Sequence, residues 1–222
     1  MAVKIQAIIP VKPFSQAKSR LAQALSPAQR AACSAWMLGN TLVCLKHLNE
    51  IESVTVISRD PAALAIAKQH ESLALLELGA GLNPALRQAA RYVVSRANPG
   101  AILLVLPADL PLLTAADLKA LVELRKSQPG VFLAPDRRRQ GTNALLLDAN
   151  ENFRFCYGAG SFYKHQQEAR RLGLAVHSAA ISNLAFDLDT PEDLQYLSSL
   201  PGLPALLAQE LRSCTFPTLQ EG

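Results

Sequence analysis

Apolar residues along this chain fall into short runs, broken by proline, glycine or charged residues, and the runs alternate with longer stretches of helical spacing. Val3 to Ile9, Ser53 to Ser58, Leu73 to Leu76, Ala101 to Leu106, Val131 to Pro135, Thr142 to Leu147 and Leu174 to Ile181 each read as a strand. Pro10 and Pro107 cannot donate to a sheet ladder, so they are expected to end the first and fourth of these. Ala101 to Leu106 is apolar throughout, the mark of a strand covered on both faces. Helices are predicted over about Pro27 to Leu48, Pro61 to Gln69, Pro84 to Arg96, Ala115 to Lys126, Ser161 to Leu172 and from Pro191 onward. Ser26, Thr114 and Thr190 stand at their starts as N-caps, and Pro27, Pro61 and Pro191 occupy first-turn positions. Alternating strands and helices predict an α/β fold with a mostly parallel central sheet flanked by helices. No repeat or linker interrupts the pattern, so a single domain is expected, with a short helix and frayed tail over Gly202 to Gly222.

Composition narrows the picture. The 222 residues are 50% hydrophobic, ample for a core, yet no apolar run reaches membrane-spanning length and no signal segment opens the chain. A cytoplasmic protein is expected, with no membrane partner. The four cysteines show no CxxC spacing, which argues for free thiols rather than zinc or disulfides. Net charge is +4, but the basic residues form no long run and aromatics are few. That balance suits a small anionic substrate and gives no nucleic-acid footprint.

The candidate chemistry lies just past the strand ends, where open α/β sheets bind ligands. Asp109, between Pro107 and Pro111, is placed to hold a hard divalent cation, or is a plain loop residue or the cap of the helix that follows. Lys12, Lys18 and Arg20 follow the first strand around Ser15 and Ser19, as a polyphosphate cradle or as a solvated basic loop. Gly79-Ala80-Gly81-Leu82-Asn83 is a turn that lets a ligand approach the backbone, or a simple tight turn; Asn83 is a helix cap or a base or ribose contact. Gly158, Gly160 and Ser161 precede a helix as an anion pocket, or as a turn with Ser161 as N-cap. Arg137, Arg138 and Arg139 read as a solvated tip, with substrate steering as the alternative. Asp187 and Asp189 alternate and would point the same way in an extended segment; joined with Asp109 they would make a divalent site. The four histidines are scattered, so no histidine nucleophile is expected.

Taken together, IIPVKPFSQAKSRL, GAGLNPAL, LPADLP, GTNALLL, the FCYGAGSF segment and LDTPEDL resemble the phosphoenolpyruvate or 2-phospho-L-lactate guanylyltransferases of coenzyme F-420 biosynthesis. The resemblance spans about residues 3 to 197. It implies a single-domain, Rossmann-like fold of the nucleotide-diphospho-sugar-transferase type. It implies transfer of GMP from GTP to a three-carbon phospho-acid, with Mg2+ as cofactor, pyrophosphate as product and a possible homodimer. By the same resemblance the nucleotide would be held by Pro10, Lys12, Lys18, Arg20, Gly79, Gly81 and Asn83. Lys12, Lys18, Arg20 and Asp109 would serve catalysis, and Asp109 with Asp187 or Asp189 would hold the metal. Thr142, Gly158 and Ser161 would take the acceptor. The chain departs from the family in having GAG for GGG, and RRRQG before Thr142. A phosphate nucleophile is already ionised, so such a reaction reduces to positioning and charge neutralisation. The rival readings are a CTP-using or molybdopterin-type nucleotidyltransferase, a metal-dependent glycosyltransferase, and a nucleotide-sensing protein without catalysis.

Overall fold

The computed structural model describes residues 4–149 and 152–200. Seven strands form one sheet: β1 (Ile5–Val11), β2 (Ile51–Ser58), β3 (Leu73–Leu76), β4 (Ile102–Val105), β5 (Val131–Pro135), β6 (Thr142–Asp148) and β7 (Val176–Ser178). Their spatial order is β3-β2-β1-β4-β6-β5-β7. All neighbouring pairs are parallel except the two made by β6, which runs antiparallel to β4 and β5. The expected mostly parallel sheet is therefore present.

Six helices cover it: α1 (Pro27–Lys46), α2 (Pro61–Gln69), α3 (Leu82–Val94), α4 (Ala115–Ser127), α5 (Ser161–Arg171) and α6 (Pro191–Ser199). Strand alternation sends Ile5, Ala7, Ile9, Val56 and Leu104 to one face, against α1, α2 and α4. It sends Ile8, Ile57, Leu103, Val105 and Leu145 to the other, against α3 and α5. Both faces are dry, which is why the strands read as unbroken apolar runs. A third cluster, including Leu21, Leu25, Met37, Phe186, Leu188, Leu194 and Leu197, joins the loop after β1 to α1 and α6. No helix among the described residues is long and apolar enough to cross a membrane.

Several boundaries differ from the sequence reading, each for a physical reason. Pro10 lies inside β1 instead of ending it, paired in register with Ile57. Leu106 N–H donates to the Ile8 carbonyl on the β4 side, and β4 stops at Val105. The ring nitrogen of Pro10, two residues on, therefore faces a side that no strand occupies. Helix α3 starts at Leu82, with Gly81 as N-cap at φ +109°, a conformation that glycine alone adopts without strain. Pro84 sits in the first turn, where its missing N–H is no loss. Helix α5 takes Gly160, at φ +69°, as its N-cap and Ser161 as its first residue. The segment Leu174 to Ile181 contracts to β7, an edge strand held by β5 alone. The expected tail helix over Gly202 to Gly222 lies outside the described residues.

Arg137 is not a solvated tip. Its guanidinium pairs with Asp193 and lies over the Phe186 ring, 4.4 Å from the centroid. The Asp193 carboxylate also accepts from the N–H groups of Asp189 (3.0 Å) and Thr190 (2.8 Å). One carboxylate thus fastens the β5–β6 turn and the Asp187–Asp189 segment to the start of α6.

Candidate active site

Asp109 follows β4 across Leu106, Pro107 and Ala108. Its carbonyl accepts from Leu188 N–H at 3.1 Å, which ties the loop after β4 to the Asp187–Asp189 segment. Residues far apart in sequence are thereby brought to one rim. Lys18 arrives from the loop after β1, which folds as two single turns of 3-10 helix, Phe14–Gln16 and Ser19–Leu21. Phe14 N–H donates to Asp60 Oδ2 at 2.7 Å, and the buried Leu21 anchors the far end. Between these anchors Lys18 adopts a left-handed backbone, φ 53° and ψ 38°, uncommon for a residue with a side chain. Its Nζ meets Asp109 Oδ2 at 2.9 Å, with the Lys18 side chain only 7% exposed.

Asp187 stands beside this pair. Burial raises its carboxyl above the usual carboxylate range, and the negative charge of Asp109 raises it further. Asn143, near the start of β6, donates to Asp187 Oδ1 at 3.4 Å and to the Leu184 carbonyl at 2.9 Å. Asp189 is engaged elsewhere: Arg20 Nη1 holds its Oδ2 at 2.5 Å. The structure thus brings Asp109 and Asp187 together and turns the Asp189 carboxylate to Arg20. Among the described residues no three His, Cys, Asp or Glu side chains gather at metal-binding distance. The reason is local: Leu188 is buried in the third cluster, the Asp189 N–H is taken by Asp193, and its carboxylate by Arg20. Asp109 and Asp187 remain as an adjacent pair of hard oxygen donors, with the Lys18 cation easing their repulsion. That donor set fits a divalent ion of the magnesium class.

On the β6 side, Thr142, Ser161 and His165 form a buried chain. Ser161 Oγ lies 3.2 Å from Thr142 Oγ1, and His165 Nδ1 lies 3.0 Å from the same oxygen. His165 Nε2 accepts from Cys156 N–H at 2.9 Å. A ring nitrogen that accepts carries no proton, so the neutral tautomer has its hydrogen on Nδ1 and donates it to Thr142. Thr142 and Ser161 share one hydrogen bond, which leaves one hydroxyl hydrogen of the pair free to donate. Such a pair is suited to an anion. Gly158 and Gly160 beside it have positive φ, and a Cβ at either would meet nothing within 4 Å.

His165 is fully buried, and burial pushes its pKa down to about 4 from 6.5. The folded protein thus binds fewer protons than the unfolded chain between those values. Its contribution to stability is complete above about pH 6.5 and is lost as pH falls towards 4, by a few kcal/mol at most. Denaturant melts at pH 7 and pH 4.5 should show this drop, and a His165→Asn variant should show less of it.

The nucleotide-side expectations meet mixed outcomes. Lys12 is exposed and Pro10 half-buried at the mouth of the same loop. Gly79 and Gly81 sit on the exposed turn between β3 and α3. Asn83 is neither a cap nor a free base contact: its amide Nδ2 donates to the Tyr157 carbonyl at 3.0 Å, and its Oδ1 accepts from Tyr157 N–H at 2.8 Å. It clamps α3 to the segment leading into α5. Two site residues escaped the sequence reading. Asn143 reads from the sequence only as a polar residue opening an apolar strand, with no partner in view. His165 was dismissed as scattered, although its i+4 spacing from Ser161 puts it on the buried face of α5.

Comparison with known proteins agrees with this geometry. The family model described as "Guanylyl transferase CofC like" matches residues 5–200. Among curated relatives, phosphoenolpyruvate guanylyltransferase of Rubrobacter xylanophilus is 41% identical over 201 residues, covering 90% of this chain and 97% of that protein. The protein of the same name from Sphaerobacter thermophilus is 40% identical over 192 residues, covering 86% and 91%. Among solved structures, a protein assigned as a nucleotide-diphospho-sugar transferase in Desulfovibrio desulfuricans G20 superposes with a TM-score of 0.72 at 16% identity, covering 95% of this chain and 94% of that one. The fold, the paired carboxylates beside a buried lysine and the match over nearly the whole described chain lead to one conclusion: the chain belongs to the CofC-like guanylyl transferase family.

Proposed function

We propose that this protein transfers GMP from GTP to the phosphate of a three-carbon phospho-acid, with phosphoenolpyruvate as acceptor, in coenzyme F-420 biosynthesis. The observation that carries the reading is the meeting of Asp109, Asp187 and the buried Lys18 at the carboxyl rim of the sheet. The names of the relatives at about 40% identity support the donor and the acceptor.

In the proposed reaction an acceptor phosphate oxygen attacks the α-phosphorus of GTP. The bond from that phosphorus to the bridging oxygen of pyrophosphate breaks, and pyrophosphate leaves with the electron pair. Asp109 and Asp187 would hold Mg2+, which when bound neutralises developing charge on the phosphates. Lys18, released from Asp109, would turn its ammonium to a phosphate oxygen, with Arg20 and Lys12 at the loop mouth beside it. Thr142 and Ser161 would donate their free hydroxyl hydrogen to the acceptor, and Gly158 leaves its backbone open to it. An ionised phosphate needs no base, which fits a site whose histidine is neutral and held within a hydrogen-bonded chain.

The test is pyrophosphate release with each of GTP, CTP, ATP and UTP, with Mg2+ and either phosphoenolpyruvate, 2-phospho-L-lactate or 3-phosphoglycerate. Release is expected with GTP and phosphoenolpyruvate. Release with CTP alone would replace this reading with that of a cytidylyltransferase.

A further inference from the structure

We propose that Glu77 is the residue that reads the guanine base, by accepting from its N1–H and 2-amino groups. The inference rests on the guanylyl-transfer reading above and adds the determinant of base choice. Glu77 follows β3 directly, and its N–H donates to the Ser58 carbonyl at 3.0 Å, so it continues the sheet by one residue. Its side chain is only 8% exposed. Among the described residues its carboxylate meets one partner, Arg59 Nε at 3.4 Å, longer than the 2.7–2.9 Å of a normal charge-assisted bond. A carboxylate has about four acceptor directions, so a single long contact leaves Glu77 able to accept from a ligand.

The carboxylate is also firmly positioned. Gln88 on α3 donates to the Leu76 carbonyl at 2.7 Å and accepts from Leu78 N–H at 2.9 Å, gripping the backbone on both sides of Glu77. Ile57 and Leu75 pack on the α3 face of the sheet. Arg59 and Glu77, two residues further along each strand, continue that alternation at the carboxyl ends of β2 and β3. They stand beside the turn at Gly79 to Gly81 that opens α3.

The layout of the rim says which ligand part reaches them. Asp109 and Asp187 mark where the α-phosphorus must sit, past the end of β4. The Thr142–Ser161 hydroxyls on the β6 side are taken by the acceptor. The nucleoside therefore extends the other way, over β1 and β2 towards β3. From β4 to β3 is three inter-strand steps, roughly 14 Å, on the scale of a nucleoside monophosphate. Guanine presents two parallel donors on its Watson–Crick edge, a match for the two oxygens of a carboxylate. Cytosine and adenine each present a donor beside an acceptor, and uracil a single donor between two acceptors, so a carboxylate leaves them poorly paired.

The experiment compares GTP with ITP, which lacks only the 2-amino group, in wild type and in Glu77→Gln, reading kcat/KM with phosphoenolpyruvate and the Kd of each nucleotide without acceptor. The wild-type protein should favour GTP over ITP by roughly 10- to 100-fold, and the variant should reduce that preference to about threefold or less. Equal use of GTP and ITP by the wild type, or an unchanged preference in the variant, overturns the assignment to Glu77 while leaving guanylyl transfer intact. If neither nucleotide binds or turns over in the wild type and CTP does, the underlying reading fails and the assignment with it. Should Glu77→Gln not fold, Glu77→Asp, which keeps the charge but withdraws it by one methylene, should cut the preference several-fold; no cut overturns the proposal.

Discussion

Replacing Asp187 with asparagine is expected to remove guanylyl transfer while making the metal-free protein more stable. Asp187 sits beside Asp109, and both burial and that neighbour disfavour its charged form. Asparagine keeps the shape and can still accept from Asn143, and the Lys18–Asp109 pair remains in place. The like-charge cost is gone, a gain of about 1 kcal/mol, or roughly 2–4 °C in Tm for a protein of this size. Activity should fall at least ~1000-fold, because one of the two oxygen donors for the divalent ion is lost. Thermal melts in chelator, then in Mg2+ with GTP, separate the two effects: wild type should gain stability from the additions and the variant should not. A variant that is inactive and also less stable in chelator would mean that Asp187 serves the fold.

The second large effect is expected at Lys18. Lys18→Met removes the one cation among the described residues that acts on both Asp109 and Asp187. The carboxylates then confront each other without compensation, and because Asp109 is partly exposed the loss of stability is modest, about 1–2 kcal/mol. The kinetic loss should be larger, on the order of 100- to 1000-fold in kcat/KM for GTP, as for removal of a preorganised charge at a reacting phosphate. Mg2+ alone should raise the Tm of Lys18→Met more than that of the wild type, since the ion no longer displaces an ammonium to reach its ligands. Turnover within threefold of wild type would exclude Lys18 from phosphate contact.

Much of the architecture was legible because the sheet is covered on both faces. Ala101 to Leu106 and Val131 to Pro135 are apolar at every position, and β5 lies where it was expected. The caps Ser26, Thr114 and Thr190 were readable because capping is local chemistry; all three form capping boxes. Pro10 was misread because its tolerance in β1 depends on where β4 stops, a long-range fact. The Asp109–Lys18 meeting joins residues 91 positions apart, and the sequence could offer both partners without the bond between them. Asp189 was grouped with Asp109 and Asp187 on alternation and on the family resemblance; in the structure Arg20 holds its carboxylate and Asp193 its N–H, contacts that sequence spacing does not show. Glu77 left no signal, since an acid at the end of an edge strand looks like any solvated residue until its burial is known.

The reversed direction of β6 has a consequence for how substrate choice can change. A strand that runs against its neighbours enters at the very rim where the others leave, so Thr142 and Asn143 are embedded in the sheet instead of carried on a pliant connection. Their geometry is inherited from the scaffold, and altering either disturbs the strand pairing on both sides. New acceptors would then be accommodated at the exposed turn around Ala159, while the hydroxyl platform beneath it stays constant.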